Sequence, residues 1–399
     1  MTQGPEQSDH HDIVIIGAGP AGLAFARMLA DTGLDMVLIE RQSRAALENP
    51  ANDGRDIALT HTSEALMKEL GLWAHIPEAE VGTIRDAKVI DGTDPYALHF
   101  AAEETGQPYL GRIVPNYLIR KAAWEAVKDA PNVTILTERA VTGVETDARA
   151  GHVTLDDGRV LTASLVIAAD SRMSESRRRM GIAAEMKDFG RVVIVTEMTH
   201  ERPHDDIATE CFHYDRTLAI LPLAGNKSSV VVTLPGDRAE AVLATSPEDF
   251  AADIAERFEH RLGAMQPCAE RHAYPLVGVL ATRFVANRFA LVGDAAVGMH
   301  PVTAHGWNLG LSGAAILAGE VKSARARGED IGAMGGLANY ERLHRRKVLP
   351  LYHGTNALVR LFTDASGPAK LLRSAALRLG NVLTPVKRQI EKQLTEMQI

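Results

Sequence analysis

The chain has 399 residues, with 43 basic and 51 acidic side chains and a formal net charge of −8. That length allows two or three domains around a large core, and the acidic balance argues against a general nucleic-acid role, which needs a basic face against phosphates. The two cysteines, Cys211 and Cys268, have no metal-ligand spacing and fit a reducing cytosol; the polar start lacks the apolar core of a secretion signal, and no apolar run reaches membrane-spanning length.

The first element is an apolar strand, Asp12-Ile-Val-Ile-Ile16, running into Gly17-Ala-Gly19-Pro20-Ala21-Gly22 and a helix over about Ala21 to Thr32. A second strand, Met36-Val-Leu-Ile39, ends in Glu40 and Arg41. Strand, glycine turn, helix and strand make a βαβ unit with a right-handed crossover, hence a parallel sheet. Gly17 permits the tight turn, Gly19 lets the backbone approach a pyrophosphate, and Gly22 lets the helix pack on the strand. The helix N-terminus, entered through Pro20 and Ala21, offers N–H donors and a partial positive charge to phosphates. Glu40 falls where an acid binds ribose hydroxyls. A glycine turn without a ligand is the plainer reading, but strands, helix and acid all stand where a dinucleotide needs them. The motif alone does not separate NAD from FAD.

The spacing predicts a helix over Thr62 to Leu72, with Ser63 as cap and Gly71 as stop, and another over Leu118 to Asp129. Val133 to Leu136, Ala140 to Val144 and His152 to Leu155 read as short strands, and Asp157-Gly158 as a hairpin turn. Leu161 to Ala169 is a buried-strand run ending in Asp170. The texture then changes: Arg191 to Thr196 and Thr217 to Leu234 alternate as antiparallel strands around Gly225-Asn226, and Ser246 to Leu262 is an amphipathic helix. The chain returns to the first domain at Phe289 to Val292, and helices dominate from Leu309 onward.

That return carries a second glycine motif, Val292-Gly293-Asp294-Ala-Ala296, followed by His300-Pro301-Val-Thr-Ala-His305-Gly306-Trp307-Asn308-Leu-Gly310. A carboxylate at a strand end, then a turn into a helix, resembles the second FAD motif of the flavin-dependent aromatic hydroxylases. The resemblance implies that Asp294 holds the ribityl chain and that Pro301 and Gly306-Trp307-Asn308 line the isoalloxazine ring. Helix N–H groups there would stabilise negative charge on the reduced flavin. The run Leu165 to Arg177 resembles the family's strand-end Asp-Gly, with Asp170 as the acid; Ser171 stands where the family has glycine, a departure from the pattern tied to a dual role toward FAD and NADPH. Arg55, in Gly54-Arg55-Asp-Ile-Ala-Leu-Thr60, matches the family arginine that contacts FAD and helps gate flavin movement, against the plainer reading of a surface ion-pair residue. Asn116 and Arg120 open a helix that touches the cofactor in relatives. His305 falls near the flavin edge, to tune flavin charge or touch substrate, unless it is only a turn residue.

The resemblance covers nearly the whole chain. His300-Pro301, Gly306 to Leu311, Gly71-Leu-Trp73 and Leu358-Val-Arg-Leu-Phe362 look like the ubiquinone-biosynthesis hydroxylases, and Thr303-Ala-His305 is most similar to their broad-regioselectivity, UbiM-type members. The implied fold is α/β: a Rossmann-like FAD-binding domain on a parallel sheet (1–75, 110–180 and 281–345), an inserted, mainly antiparallel β-sheet substrate domain (76–109 and 181–280) and a C-terminal helical segment (346–399). The implied reaction is hydroxylation of an aromatic ring through a flavin C4a-hydroperoxide, with NADH or NADPH as transient reductant and O2 as oxidant. A prenylated phenol or quinone precursor is the expected substrate. The alternatives are a hydroxylase of small soluble phenols, a prenyl-lipid reductase or halogenase on the same fold, and a non-catalytic prenyl-lipid carrier. Trp73, Trp124 and Trp307 form no Trp-x-Trp pair, which counts against the halogenase. Arg177 to Arg179 reads as a solvated helix face. The basic, partly apolar stretch from Lys370 to Arg388 docks on the same chain, on a quinone-pathway protein or on a membrane surface. The expected location is cytoplasmic, with peripheral membrane association.

Overall fold

A computed structural model describes residues 9–91, 97–213, 216–299 and 305–363. The stretch from Lys370 to Arg388, with His300 and Pro301, lies outside these residues. The chain begins with strand β1 (Asp9–Ile16), helix α1 (Pro20–Leu29) and strand β2 (Met36–Ile39). Ile13 to Ile16 and Met36 to Ile39 are all buried, as a parallel sheet covered on both faces demands. Burying each such side chain stabilises the fold by about 1.5–3 kcal/mol. Gly33, at φ +69°, ends the turn that follows α1.

After a short helix α2 (Arg44–Glu48), strand β3 (Asp56–Leu59) leads into helix α3 (His61–Glu69). The cap of α3 is Thr60, not Ser63: the Thr60 hydroxyl accepts the Ser63 N–H at 3.3 Å. The pattern of apolar residues placed the helix start too late because the first turn is polar. Strands β4 (Gly82–Ile84), β5 (Asp86–Asp91) and β6 (Ala97–Ala101), a turn of helix α4 (Ala102–Thr105) and strand β7 (Gly111–Pro115) follow. Helix α5 (Asn116–Glu125) starts directly at the end of β7, ahead of the predicted Leu118.

Strands β8 (Val133–Leu136), β9 (Val141–Thr146), β10 (Gly151–Leu155) and β11 (Val160–Ala168) lie where predicted, β10 and β11 joined through Gly158 at φ +86°. Helix α6 (Glu175–Arg179) precedes the long strand β12 (Ala184–His200). Then come β13 (Ile207–Phe212), β14 (Thr217–Pro222), β15 (Lys227–Pro235), helices α7 (Gly236–Leu243) and α8 (Pro247–Arg257), and β16 (Met265–Pro267) and β17 (His272–Ala281). Ser246 caps α8 by accepting the Asp249 N–H at 3.0 Å. Strands β18 (Val285–Ala286), β19 (Phe289–Leu291) and β20 (Val297–Gly298), then helices α9 (His305–Ala326) and α10 (Met334–Thr363), complete the described chain.

These strands form three sheets. One runs β18-β19-β11-β1-β2-β8, parallel from β19 to β8, with β10 added antiparallel to the first half of β11 and β9 antiparallel to β10. The second runs β20-β17-β12-β15-β14-β13-β5-β6. It is antiparallel except where β5 pairs β13 in parallel, which bridges two segments far apart in sequence and gave no local signal. The third is β3-β7-β4. Helix α1 packs on both α5 and α9 within the largest core. A separate core seats Phe250 and Ile254 of α8 on one face of the second sheet, against Ile194, Val230 and Val232. The opposite face presents Val193, Val195 and Leu276, with Val231 and Tyr274 beside them. The loop that leads into β3 lies against that face, where Gly54 approaches Val195 and His272.

Candidate cofactor site and adjoining cleft

The two glycine motifs meet. A Cβ on Gly293 would stand 2.9 Å from the Ala21 Cβ, and one on Gly310 would stand 3.3 Å from the Gly293 Cα. The first turn of α1, the β19 exit and α9 therefore converge on one spot. Within the first motif a Cβ on Gly22 would lie 2.1 Å from the Gly17 carbonyl oxygen, so no larger residue fits without moving backbone. Gly19 faces open space, with nothing within 4 Å of its would-be Cβ. It is also the N-cap of α1, with Pro20 in the first turn and no side-chain cap or acidic residue there. The N–H groups of that turn thus face an open approach, as pyrophosphate binding requires.

Glu40 tightens this turn. One carboxylate oxygen accepts the Ala18 N–H at 2.9 Å and the other the Gln42 N–H at 2.9 Å. Each oxygen keeps lone-pair capacity for a further donor. Arg41 is exposed beside it, and Arg120 of α5 donates to the Gln42 side chain at 3.1 Å. Glu40, Arg41 and Arg120 are thus brought together at the C-terminal end of β2.

At the second motif Asp294 accepts from Arg172 Nε at 3.3 Å and Nη2 at 3.1 Å through a single oxygen. Its other oxygen has no partner among the described residues, and its side chain is 38% exposed. Arg172 also donates to the Val277 carbonyl at 2.8 Å, tying the motif to β17. Arg177 is buried, not solvated, and donates to the Ala295 carbonyl at 2.8 Å; only Arg178 and Arg179 face water. Arg172 and Arg177 lie in the run singled out from the sequence, but their bonds to Asp294 and to the Ala295 carbonyl were not foreseen. The signal was their position just after the strand-end Asp170, but the argininyl run looked like surface. Asp170 itself accepts Ser174 Oγ at 2.5 Å and the Ser176 N–H at 3.0 Å, so both oxygens serve the turn into α6. Ser171 sits at φ +82°, in the conformation that glycine adopts without strain.

Asn308 is buried and joins α9 to β3. Its amide donates to the Ala58 carbonyl at 2.9 Å and accepts the Thr60 N–H at 3.2 Å. Trp307 has a buried indole N–H without a partner among the described residues, and Gly306 has nothing within 4 Å of its would-be Cβ. The start of α9 thus offers open room and an unpaired donor. His305 is the first residue of α9.

Arg55 lies at the cleft between β3 and the second sheet. It donates to Asp53 at 2.5 Å and 3.1 Å and stacks over the Tyr274 ring, with 5.5 Å from guanidinium carbon to ring centroid. Asp53 also accepts Asn116 Nδ2 at 2.8 Å, and its carbonyl accepts the Tyr274 hydroxyl at 2.6 Å. Burial raises the Asp53 carboxyl, but the hydrogen bonds from Arg55 and Asn116 outweigh it and leave the group below its ordinary value. Asp53 and Tyr274 carried no motif; only the fold brings them to Arg55.

Open backbone in front of the α1 N-terminus, a partly free carboxylate at Asp294 and an unpaired donor at the start of α9 fit an extended dinucleotide with a ring at one end. The family model for the FAD binding domain matches residues 10–331. Ubiquinone hydroxylase UbiM of Neisseria meningitidis is 48% identical over 99% of this chain and 87% of that protein. The chain belongs to this FAD-binding family, among its ubiquinone hydroxylases. Ubiquinone hydroxylase UbiL of Rhodospirillum rubrum is 37% identical over 94% of this chain and 87% of its own. Among solved structures, p-nitrophenol 4-monooxygenase PnpA of Pseudomonas putida superposes with a TM-score of 0.78 at 19% identity, covering 98% of this chain and all of the other (100%); that similarity speaks to fold alone. The cofactor is FAD, and the protein is a flavin-dependent monooxygenase. No helix among the described residues is long and apolar enough to cross a membrane.

Proposed function

We propose that this protein hydroxylates the aromatic ring of a prenylated ubiquinone precursor, using NADH or NADPH as the transient reductant. The observation that carries the reading is the 48% identity to a ubiquinone hydroxylase, which extends over 99% of the chain and so includes the second sheet as well as the glycine motifs. The α1 N-terminus and Gly17 to Gly22 would take the pyrophosphate, Glu40 and Arg41 the adenosine ribose, Asp294 the ribityl hydroxyls, and Gly306 to Asn308 the ring edge. Bound FAD supplies the activation of O2 and the transfer of one oxygen atom. The remaining work falls to the chain: orienting the ring, excluding water and handling its protons.

In this reading 1–75, 110–180 and 281–345 bind FAD, while 76–109 and 181–280 bind substrate. The apolar patch of Val193, Val195, Val231 and Leu276 facing Gly54 and Arg55 supports the second assignment, since an aromatic ring needs apolar walls with few polar groups. An isoprenoid tail costs roughly 0.8 kcal/mol per methylene exposed to water, so it calls for delivery from a membrane surface or a lipid-binding partner.

Mass spectrometry of quinone intermediates in cells lacking and regaining this gene tests the proposal. Loss of the gene should accumulate an under-hydroxylated prenylated intermediate, and its return should consume it. With purified protein, tailed phenols should drive NAD(P)H oxidation and hydroxylated product. Efficient hydroxylation of small phenols with no turnover of tailed ones would favour a hydroxylase of soluble phenols instead, and absence of oxygen uptake a lipid carrier.

A further inference from the structure

Asp56 is the first residue of β3, directly after Arg55. Ile57 and Leu59 pack into the largest core, so strand alternation turns Asp56 and Ala58 the other way, toward the second sheet. There Gly54 lies so close that its would-be Cβ stands 3.2 Å from a Val195 methyl. Asp56 Oδ2 is sealed from solvent and makes no well-formed hydrogen bond among the described residues, the neighbouring Ser229 hydroxyl being likewise unpaired. A buried acceptor left unpaired in a native fold calls for an explanation. The same strand carries the Ala58 carbonyl that Asn308 grips at 2.9 Å, so Asp56 and the start of α9 are fixed to one another by a few residues of β3.

We propose that Asp56 receives the hydrogen bond, and then the proton, of the substrate's ring hydroxyl, making it a catalytic base of the hydroxylation. This rests on the phenolic substrate of the preceding section. In the step the substrate O–H bond breaks, its electron pair stays on the ring oxygen, and a new O–H bond forms on the Asp56 carboxylate. Net charge is unchanged: the carboxylate becomes neutral as the phenol becomes phenolate. The electron-rich phenolate is the form that attacks an electrophilic oxygen.

The surroundings suit this task. Burial first, and the nearby Glu197 and Asp53 carboxylates after it, raise Asp56 to about 7, against the lowering effect of Ser229 and Lys227. The charged or titratable groups around it are Asp53 and Arg55 in the preceding turn, Glu197 on β12, Lys227 on β15, and Tyr117 on α5 with Glu80 beyond it. Glu197 and Lys227 are paired at 2.8 Å, so they largely cancel and leave burial as the main influence. A base works best with a pKa near the operating pH.

The test uses FAD-loaded full-length protein with Asp56→Asn, which keeps shape and loses the base. Native circular dichroism and full FAD content establish folding. Hydroxylated product should fall roughly 100-fold or more, with NAD(P)H oxidation diverted to hydrogen peroxide, and Asp56→Glu should recover part of it. Because the base must be ionised, wild-type kcat/KM should rise with pH through about 7, and the variant should lose that limb. Infrared difference spectra of the wild type without substrate should show a protonated carboxyl band that titrates near neutrality and is missing from Asp56→Asn. Wild-type product yield and an unchanged pH limb in Asp56→Asn would overturn the assignment, as would a wild type with no such band. If the wild type hydroxylates no phenol at all, the proposed function fails first and takes this role with it.

Discussion

The two ends of the site are built differently. At the glycine-rich end the open approach is lined by backbone: the N–H groups of α1, in a turn held by Glu40 through the Ala18 N–H, and the Gly293 turn pressed on Ala21. At the cleft, the groups are side chains from distant segments: Asp53 and Arg55 from one turn, Asp56 from the start of β3, Asn116 from α5, Tyr274 from β17. Backbone chemistry demands glycines at fixed spacing and so prints itself on the sequence. Side-chain chemistry across a cleft demands only that the fold bring the right atoms together.

The sharpest way to break the glycine-rich end is Gly22→Ala. The new Cβ would meet the Gly17 carbonyl at 2.1 Å, and the backbone must shift to admit it. Overpacking of this kind costs about 3 kcal/mol at its upper range, roughly a hundredfold in FAD affinity. Flavin fluorescence during titration of apoprotein measures it. Wild-type affinity would mean that the turn gives way more easily than a packed backbone should.

Asp294→Ala probes the other glycine motif by charge rather than by size. A charge-assisted hydrogen bond contributes about 1.5–3 kcal/mol, so FAD should be held about tenfold or more less tightly, with native circular dichroism. The substitution also frees Arg172, which keeps its bond to the Val277 carbonyl at 2.8 Å, so the surrounding turn should survive. Unchanged FAD affinity would remove Asp294 from the site.

What was legible follows the same division. The βαβ start, the Gly293-Asp294 return and the β10–β11 hairpin each depend on a short run of neighbours, and each was visible. Strands β5, β6 and β13 were not predicted, because β5 pairs in parallel with a strand more than a hundred residues away and no local pattern records that partner. Thr60 was missed as a cap because its role depends on backbone direction at the end of β3. Arg177 was misread as solvated because a charged run gives no hint that the Ala295 carbonyl awaits one of its members. Arg55 stood out by resemblance, whereas Asp53 and Tyr274, which hold it, needed the fold.

Asp53→Ala tests the cleft with a smaller effect. Arg55 is about half exposed, at 49%, so its ion pair with Asp53 is worth at most about 1 kcal/mol, or roughly fivefold. We expect product formed per NAD(P)H oxidised to drop by about that factor while FAD affinity stays near wild type. The Asp53 carboxyl is held below its ordinary value. The stabilisation it provides is therefore fully present above the ordinary carboxylate range and is lost only as pH falls through the lowered value. The part of the effect that falls on folding stability should be flat from pH 6 to 8 and shrink in acid. A variant that sheds FAD instead would merge the two regions into one.

The smallest expected change is a gain. Ser171 sits at φ +82°, where the Cβ of an L-residue costs about 1–2 kcal/mol. Its side chain makes no hydrogen bond among the described residues; the turn is held instead by the Ser174 N–H on the Ser171 carbonyl at 3.1 Å and by the Asp170 carboxylate. Ser171→Gly therefore removes strain without removing a contact. Against that, glycine loses more backbone freedom on folding, by about 0.4–1 kcal/mol. The net should be a stabilisation of about 0.5–1 kcal/mol, seen as a rise of about 1–2 °C in Tm. Differential scanning fluorimetry of the FAD-loaded protein measures it, and because the site lies in a turn beside the Arg172–Asp294 pair, FAD affinity should hold or improve slightly. A lower Tm in Ser171→Gly would mean that the serine's backbone is more comfortable than its φ implies, and that its place in the turn has a cause other than tolerated strain.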